Sequence, residues 1–143
     1  MNPRLTPVIH TLFSKYEHCS QLFDFKGIAR LFASKLIVAG PAGIVFHNNN
    51  FITRWRLDKS MKTLYGEAGL SSLYMQSISE EVISDQYSLV RVSWAVKFSK
   101  TLDQSLVFNI SYIVRKKKRN AEIILFIAHE DEKKILEGYG LIK

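Results

Sequence analysis

The 143-residue sequence contains a single cysteine, Cys19, and no long apolar run. One cysteine cannot close an intramolecular disulfide, which is typical of a protein in a reducing compartment. The apolar run at residues 123–128 is far shorter than the ~20 residues that cross a bilayer. The amino terminus also lacks the basic segment and the continuous apolar stretch of a secretory signal. These absences predict a cytoplasmic protein without a membrane partner.

Acidic residues are in the minority, since 13 Asp and Glu stand against 20 Lys and Arg and the formal net charge is +7. Clustered basic residues would indicate a nucleic-acid partner, because they neutralise phosphates. The one dense basic cluster, at residues 115–119, falls between two predicted strands. A hairpin tip needs polar residues there, and charges also discourage edge pairing. We therefore interpret the cluster as a solvated turn and expect no nucleic-acid partner.

Three long strands follow one another between Tyr87 and His129. Along them, apolar residues alternate with mixed ones at the period of two that sends successive side chains to opposite faces of a sheet. The apolar set is Val90, Val92, Trp94, Val96 and Phe98 in the first strand, and Leu106, Phe108, Ile110, Tyr112 and Val114 in the second. One face of the sheet is therefore predicted to be a continuous apolar wall, and Asn109 should point away from it.

Helices are predicted ahead of these strands. Thr6 and Pro7 are typical of a helix start, Asp24 can cap a second helix, and the asparagines at residues 48–50 can cap a third that ends at Gly69. The buried stripe of the third helix is predicted from the helical spacing of Leu57, Met61, Leu64 and Ala68.

The remaining elements are short or strand-like. A hairpin is predicted at residues 36–46, a strand at residues 73–82, and a terminal helix after the acidic residues 130–132. Helices first and strands after are typical of an α+β domain, with helices on one face of a bent sheet. At this length we expect one domain that spans residues 1–143.

The element order and one long segment resemble the nuclear-transport-factor-like, or cystatin-like, superfamily, which includes ketosteroid isomerase and the SnoaL-like polyketide cyclases. Residues 15–43 are similar to the ketosteroid isomerase pattern without a gap, and residues 89–94 and 128–132 resemble SnoaL-like bacterial proteins. The matching positions of the first segment are Asp24, Gly27, Ile28, Leu31, Phe32, Ala33, Val38, Pro41 and Gly43.

The resemblance implies a fold and partners. It implies three N-terminal helices packed on a strongly curved antiparallel sheet, which together form a cone with an apolar cavity, as a single SnoaL-like domain. It also implies a homodimer through the outer sheet face and a small hydrophobic ligand in the cavity.

Functional residues of ketosteroid isomerase carry over only in part. Tyr16 falls at the position of the oxyanion-stabilising tyrosine and is our candidate catalytic residue. Gly40 falls where that enzyme has its general-base aspartate, and a glycine cannot remove a proton. Asn109 is the nearest match to the second acid and can donate a hydrogen bond, but it cannot act as an acid. The resemblance therefore implies the cavity without the isomerase mechanism.

Other chemistries of the superfamily lack their residues as well. Arg91 has no flanking aspartate of the kind that the epoxide-hydrolase branch uses, and the histidines lie near element ends or on outward helical positions, unlike the paired cavity histidines of the dehydratase branch. His129 is adjacent to Glu130 and Asp131, but no second His or Cys lies at ligand spacing. We interpret these acids as a helix cap and a solvated turn, and we expect no metal and no cofactor.

Aromatic residues are the ligand-binding candidates, because ligand pockets are mostly apolar. They are Tyr16, Phe32, Phe46, Trp55, Trp94 and Tyr112. Plain core packing explains the same residues, since large aromatics dominate cores. Arg54, Arg56 and Asp58 could gate an entrance or bind an acidic ligand, although such charges usually face water. Three functions stay open: a binding protein for a small hydrophobic molecule, an enzyme (isomerase, cyclase or hydrolase) that pairs Tyr16 with a different base, and a structural dimerisation module with a filled cavity.

Overall fold

The computed structural model describes residues 4–101 and 104–142. The helices within this part of the chain are α1 (Pro7–Gln21), α2 (Phe25–Ala29), α3 (Phe51–Ala68) and α4 (Glu132–Gly138), with one 3-10 helix at Ser99–Thr101. The strands are β1 (Phe32–Gly40), β2 (Gly43–Asn48), β3 (Leu70–Val82), β4 (Tyr87–Phe98), β5 (Ser105–Lys116) and β6 (Ala121–Ala128). The α+β class is confirmed. Beside the three N-terminal helices of the predicted fold, α4 follows the last strand, where the acidic residues predicted a terminal helix.

Capping residues explain where α2 and α3 begin and where α3 ends. Asp24 accepts a hydrogen bond from a backbone amide of α2, and Asn50 accepts one from a backbone amide of α3, both at 2.9 Å. Gly69 ends α3 in the left-handed conformation, at a φ of 78°, which glycine adopts without steric cost. Thr6, in contrast, does not cap α1, because its Oγ1 donates instead to Glu80 of β3 at 2.8 Å.

The six strands form one sheet in the order β2-β1-β6-β5-β4-β3. All neighbours are antiparallel except β1 and β6, which run parallel and pair Phe32 with Ile123 and Val38 with Phe126. The prediction of a purely antiparallel sheet is therefore wrong at this pair. The relative direction of strands this far apart in the chain is set by the tertiary arrangement. No short turn connects β1 to β6, so no turn sequence could predict their direction.

The sheet is curved and does not close. Its strand register shifts between Met75 and Ser77 in β3 and between Ile113 and Val114 in β5, and such bulges bend a strand and increase its twist. Strands β2 and β3 form the two edges. The outcome is an open, bent sheet with a concave inner face and a convex outer face.

The predicted apolar wall forms the inner face and is the centre of the core. Val90, Val92, Trp94, Val96 and Phe98 of β4 are all buried, and α1 packs Ile9, Leu12, Phe13 and Tyr16 against the same cluster. Side chains from β4 and β5 thus alternate between core and outer face as their sequence indicated. Burial of each large apolar side chain contributes roughly 1.5–3 kcal/mol, so this wall dominates the stability of the fold.

Three residues of the predicted stripe of α3, Met61, Leu64 and Ala68, pack against the core as their helical spacing predicted. Leu57 is 43% exposed, and its neighbour Asp58 is only 8% exposed, in line with buried Tyr65 and Ala68. Asp58 Oδ2 lies 3.2 Å from Lys62 Nζ, and Oδ1 has no hydrogen-bond partner within residues 4–101 and 104–142. The predicted stripe therefore fails only at Leu57, beside which Asp58 takes the buried position.

Candidate functional site

A chain of hydrogen bonds crosses the inner face of the sheet and ends on α1. Trp94 Nε1 of β4 donates to the Tyr112 hydroxyl of β5 at 3.0 Å, and that hydroxyl donates to the Tyr16 hydroxyl at 3.1 Å. All three residues are buried. Tyr16 accepts at the end of this chain, and its own proton has no acceptor among the described residues. Tyr16 can therefore donate a hydrogen bond to a bound oxygen atom.

Burial keeps both phenols protonated. Burial raises the pKa of Tyr16 well above its ordinary value; the hydrogen bond from Tyr112 acts in the lowering direction, and the negative charge of Glu132 raises the pKa further. Burial raises the pKa of Tyr112 as well, reinforced by Tyr16 beside it. Both hydroxyls are therefore protonated, and able to donate, at neutral pH.

Aromatic rings surround this chain. The Tyr16 ring centroid lies 5.0 Å from Trp94 and 6.2 Å from Phe32, and the Tyr112 centroid lies 5.1 Å from Phe13 and 5.5 Å from Phe126. These distances are those of direct ring packing. Protein atoms occupy the centre of the inner face, where the resemblance implied an apolar cavity, and that cavity stays a prediction.

A carboxylate faces the same interior from α4. Glu132 accepts a hydrogen bond from the Tyr65 hydroxyl of α3, and burial raises the pKa of Glu132 to about 7. Tyr65 is itself stacked between Phe25 and Phe98, with centroid distances of 5.9 and 6.4 Å. The Glu132 charge also raises the pKa of Tyr16, so the carboxylate and the phenol influence each other within the same interior.

Glu132 corrects the interpretation of the acidic residues as a cap and a solvated turn. Asp131 does cap α4, accepting from the Lys134 amide at 3.1 Å. Glu132 instead points inward, and the signal that could have revealed this is its spacing from Leu136, which is fully buried one helical turn later. Glu130 is not a solvated residue either, because its two oxygens accept from the Asn109 amide and side chain at 2.9 and 2.7 Å.

Asn109 and His129 lie on the outer face, away from Tyr16. Ser93 Oγ donates to Asn109 Oδ1 at 2.6 Å, and Ser111 Oγ lies 2.7 Å from His129 Nε2. Arg91, Ser93, Asn109 and His129 are among the residues that line a polar recess of about 300 Å³. The expectation from strand alternation is confirmed for Asn109. Within residues 4–101 and 104–142, no group of three or more His, Cys, Asp or Glu side chains could hold a metal ion.

Two of the six predicted ligand-binding aromatics lie at the surface. Phe46 is 77% exposed on the edge strand β2, where it pairs with Ile37 on the outer face. Trp55 is 52% exposed on α3, with Lys59 Nζ 5.3 Å from its ring centroid. The structure brings together Tyr16, Phe32, Trp94 and Tyr112 and separates Phe46 and Trp55 from them.

Gly40 contributes no acid to the inner face. It pairs with Gly43 at the β1–β2 turn, and a Cβ built on it would lie 3.5 Å from the Cβ of Ala128. The buried carboxylate of the interior is instead that of Glu132, in the C-terminal helix α4.

The open six-stranded sheet with helices on its inner face is the NTF2-like, or cystatin-like, fold. An NTF2-like protein with a cystatin-like fold from Novosphingobium aromaticivorans is similar, with a TM-score of 0.67 and 12% identity over 93% of this chain and 86% of that chain. A protein of unknown function from Nostoc punctiforme has a TM-score of 0.65 and 15% identity, covering 92% of this chain and 96% of its own.

One similar structure carries a named activity. A candidate scytalone dehydratase from N. aromaticivorans has a TM-score of 0.59 and 14% identity, over 85% of this chain and 80% of that chain. No protein-family model and no curated protein matches the sequence. At these identities the similarity shows the fold alone, and the resemblance inferred from the sequence is confirmed at that level.

Membrane insertion through a helix has no support in the structure. Of the helices within the described residues, none combines the length and the apolar character that a membrane span requires.

Proposed function

We propose that this protein binds a small, largely apolar molecule that carries a carbonyl oxygen, on the inner face of its sheet. The observation that carries the proposal is the Tyr16 hydroxyl, a buried donor whose proton no described residue accepts. A buried donor is normally satisfied, so a ligand oxygen is its natural partner. Phe32 and Trp94, whose rings lie 6.2 and 5.0 Å from Tyr16, supply apolar contacts for the rest of the molecule.

Access to this site requires a covering element to move, since aromatic rings pack directly around Tyr16. Helix α4 suits this role because it is only seven residues long, ends at Gly138 and is followed by Gly140. The segment is held by the burial of Leu136, Leu141 and Ile142. A ligand that takes over those apolar contacts compensates for their loss at about 25 cal/mol per Å² of buried apolar surface.

The test is a thermal-shift screen with hydrophobic ketones and enones. A ligand that binds only the folded state raises the melting temperature, and the rise grows with the ratio of ligand concentration to Kd. Tyr16→Phe should abolish the shift, and Tyr139→Phe, a change of the same atom at a residue that is 51% exposed, should preserve it. No shift with any compound, or equal shifts for both variants, would overturn the proposal.

A second candidate function is proton transfer at the same site, and the pKa of Glu132 favours it. A carboxylate whose pKa is about 7 is half-ionised near neutral pH, which suits a general base. In this hypothesis Glu132 takes a proton from the carbon next to the ligand carbonyl, and Tyr16 donates a hydrogen bond to the enolate oxygen that forms. Return of the proton from Glu132 to a conjugated carbon gives an isomer, whereas return to the same carbon regenerates the starting ketone.

Deuterium exchange separates the two functions. Solvent deuterium should enter the α-position of a bound ketone with wild-type protein and not with Glu132→Gln, as followed by proton NMR. Glu137→Gln, which changes an exposed acid of the same helix, is the matched control. Binding without deuterium exchange would support the binding function and would contradict the proton-transfer hypothesis.

We also propose that the outer face forms a homodimer. Large apolar side chains on that face are exposed: Tyr74 by 38%, Val107 by 41%, Ile44 by 65% and Phe46 by 77%. The register of strand pairing places all four on the side opposite Trp94 and Val96. Exposed apolar surface of this kind is typical of an interface. A dimer that binds no ligand would favour the structural module with a filled interior. The cytoplasmic location stays a prediction.

A further inference from the structure

A second recess lies between α2 and the first turn of α3, outside the site that contains Tyr16. Its volume is about 530 Å³, within the range of small-molecule pockets. It is lined by Lys26, Arg30, Phe51, Ile52, Arg54 and Trp55. Half of these residues carry a positive charge, the other half are apolar, and none is acidic.

The cations of this recess are available for an anion. Neither Lys26 nor Arg30 forms a salt bridge with any residue of the described part of the chain, and their spacing of four residues turns both to one side of α2. Arg54 is half-buried, and its Nη1 donates to the Asn49 carbonyl oxygen at 3.2 Å. The other N–H groups of its guanidinium have no partner in the described residues.

A network of hydrogen bonds through Asn49 holds Arg54 in place. Asn49, whose carbonyl accepts from Arg54, uses its own Nδ2 to donate to the Ala29 carbonyl at 2.7 Å and to the Phe32 carbonyl at 3.0 Å. These bonds tie the start of α3 to the end of α2 and the start of β1. A guanidinium positioned in advance loses less entropy when it binds a carboxylate than a freely moving lysine does.

The apolar half of the recess is exposed to an unusual degree. Phe51 is 74% exposed, Trp55 52% and Ile52 47%, although all three are large. Scattered apolar residues at a surface need no explanation, but a contiguous group beside unpaired cations does. The recess also lies at the amino-terminal end of α3, where the helix dipole favours negative charge.

We propose that this recess binds a small amphiphilic carboxylate, with its acid group against Arg30, Arg54 and Lys26 and its aliphatic or aromatic body against Trp55, Phe51 and Ile52. Arginine matches a carboxylate through paired N–H donors, and Trp55 offers a flat apolar surface to the body. The charged and the apolar residues line one recess, so head and body of one molecule contact it together. This binding is independent of the Tyr16 site, with which it shares no residue.

The experiment measures decanoate binding by isothermal titration calorimetry, below the concentration at which decanoate forms micelles. Decanol, which has the same chain and no charge, should bind at least roughly tenfold more weakly, because it lacks the charged hydrogen bonds. Arg30→Gln and Arg54→Gln should each raise the Kd by roughly tenfold on the same basis. Arg56→Gln, the same change on an exposed residue of α3 outside the recess, should change the Kd less than about twofold.

Three results would overturn the proposal. One is equal binding of decanol and decanoate, and another is an equal Kd for the Arg30→Gln and Arg56→Gln variants. The third is binding to vesicles of phosphatidylglycerol and phosphatidylcholine without binding of free decanoate, which would assign the surface to a lipid bilayer. Tyr16→Phe should leave the decanoate Kd unchanged, and loss of binding in that variant would place decanoate at the inner face instead.

Discussion

Glu132 at the start of α4 accepts a hydrogen bond from the Tyr65 hydroxyl of α3, in surroundings that raise the pKa of Glu132 to about 7. This pair joins the last helix of the chain to the third, and it places an ionisable oxygen in the same interior as the Tyr16 phenol. The sequence predicted no acid facing that phenol. Its presence makes proton transfer a specific hypothesis for this fold and makes stability depend on pH.

Stability should fall as pH rises through neutrality, because of Glu132. The pKa of Glu132 is about 7 in the folded state, and its ordinary value is 4.5. Between pH 4.5 and about pH 7 the folded state therefore binds more protons than the unfolded state. The contribution is fully present below pH 4.5 and lost as pH rises through about 7. At 1.36 kcal/mol per pKa unit it amounts to about 3 kcal/mol.

Glu132→Gln tests this dependence, because Gln still accepts from Tyr65 and carries no charge. Urea unfolding should find the variant more stable than wild type at pH 8, by up to about 3 kcal/mol, and close to it at pH 5. Glu137→Gln, on the exposed side of α4, should follow wild type at both values. A constant difference between Glu132→Gln and wild type from pH 5 to pH 8 would contradict the assignment.

The hydrogen-bond chain on the inner face predicts an order of stability among tyrosine variants. Tyr16→Phe removes one acceptor and should cost about 1 kcal/mol, whereas Tyr112→Phe leaves both Trp94 Nε1 and the Tyr16 hydroxyl without partners and should cost about 2–3 kcal/mol. Tyr139→Phe, at an exposed position, should stay within about 0.5 kcal/mol. Urea unfolding measures all three, and equal costs for Tyr16→Phe and Tyr112→Phe would argue against the chain.

Glu80 should stabilise the junction of α1 with β3 in a pH-dependent way. Burial raises the pKa of this carboxyl, but hydrogen bonds from Ser88 and from the amide and hydroxyl of Thr6 outweigh it, so the net shift is downward. The stabilisation is present above the ordinary pKa of 4.5 and lost as pH falls through the lower folded-state value.

Glu80→Gln should therefore destabilise the fold by about 1–2 kcal/mol at pH 7, with a smaller effect at pH 3. The neighbouring Glu81→Gln is the control, because Glu81 faces outward, is exposed and has Arg91 at 4.0 Å as its ion-pair partner. Chemical unfolding at pH 3 and pH 7 measures the stability of both variants relative to wild type. An effect of Glu80→Gln that is the same at pH 3 and pH 7 would count against a role for the charge.

The proposed dimer should depend on the apolar part of the outer face. Val107→Asp places a charge among exposed Tyr74 and buried Ala95 and should convert the dimer to a monomer at micromolar concentration, as measured by light scattering. Ile83→Asp alters another exposed apolar residue, after the end of β3, and should leave the dimer intact. A wild-type protein that is monomeric at this concentration would contradict the proposed dimer.

Local features were predicted well from the sequence. The alternation that buries Val90, Val92 and Trp94 and turns Asn109 away follows from the period of two in any strand, and the caps at Asp24 and Asn50 depend on backbone amides within three residues. The class of fold followed from the order of these elements. None of these conclusions needed knowledge of which element packs on which.

The tertiary structure alone decided the relationships between distant residues. Glu132 meets Tyr65 across 67 positions of the chain, and β1 runs parallel to β6 because the whole fold sets their directions. Phe46 and Trp55 have the same aromatic character as Trp94, yet they lie at the surface because an edge strand and a weakly amphipathic helix present them outward. A side-chain period determines the face on which a residue lies, whereas the groups opposite that face are determined only when the chain is packed.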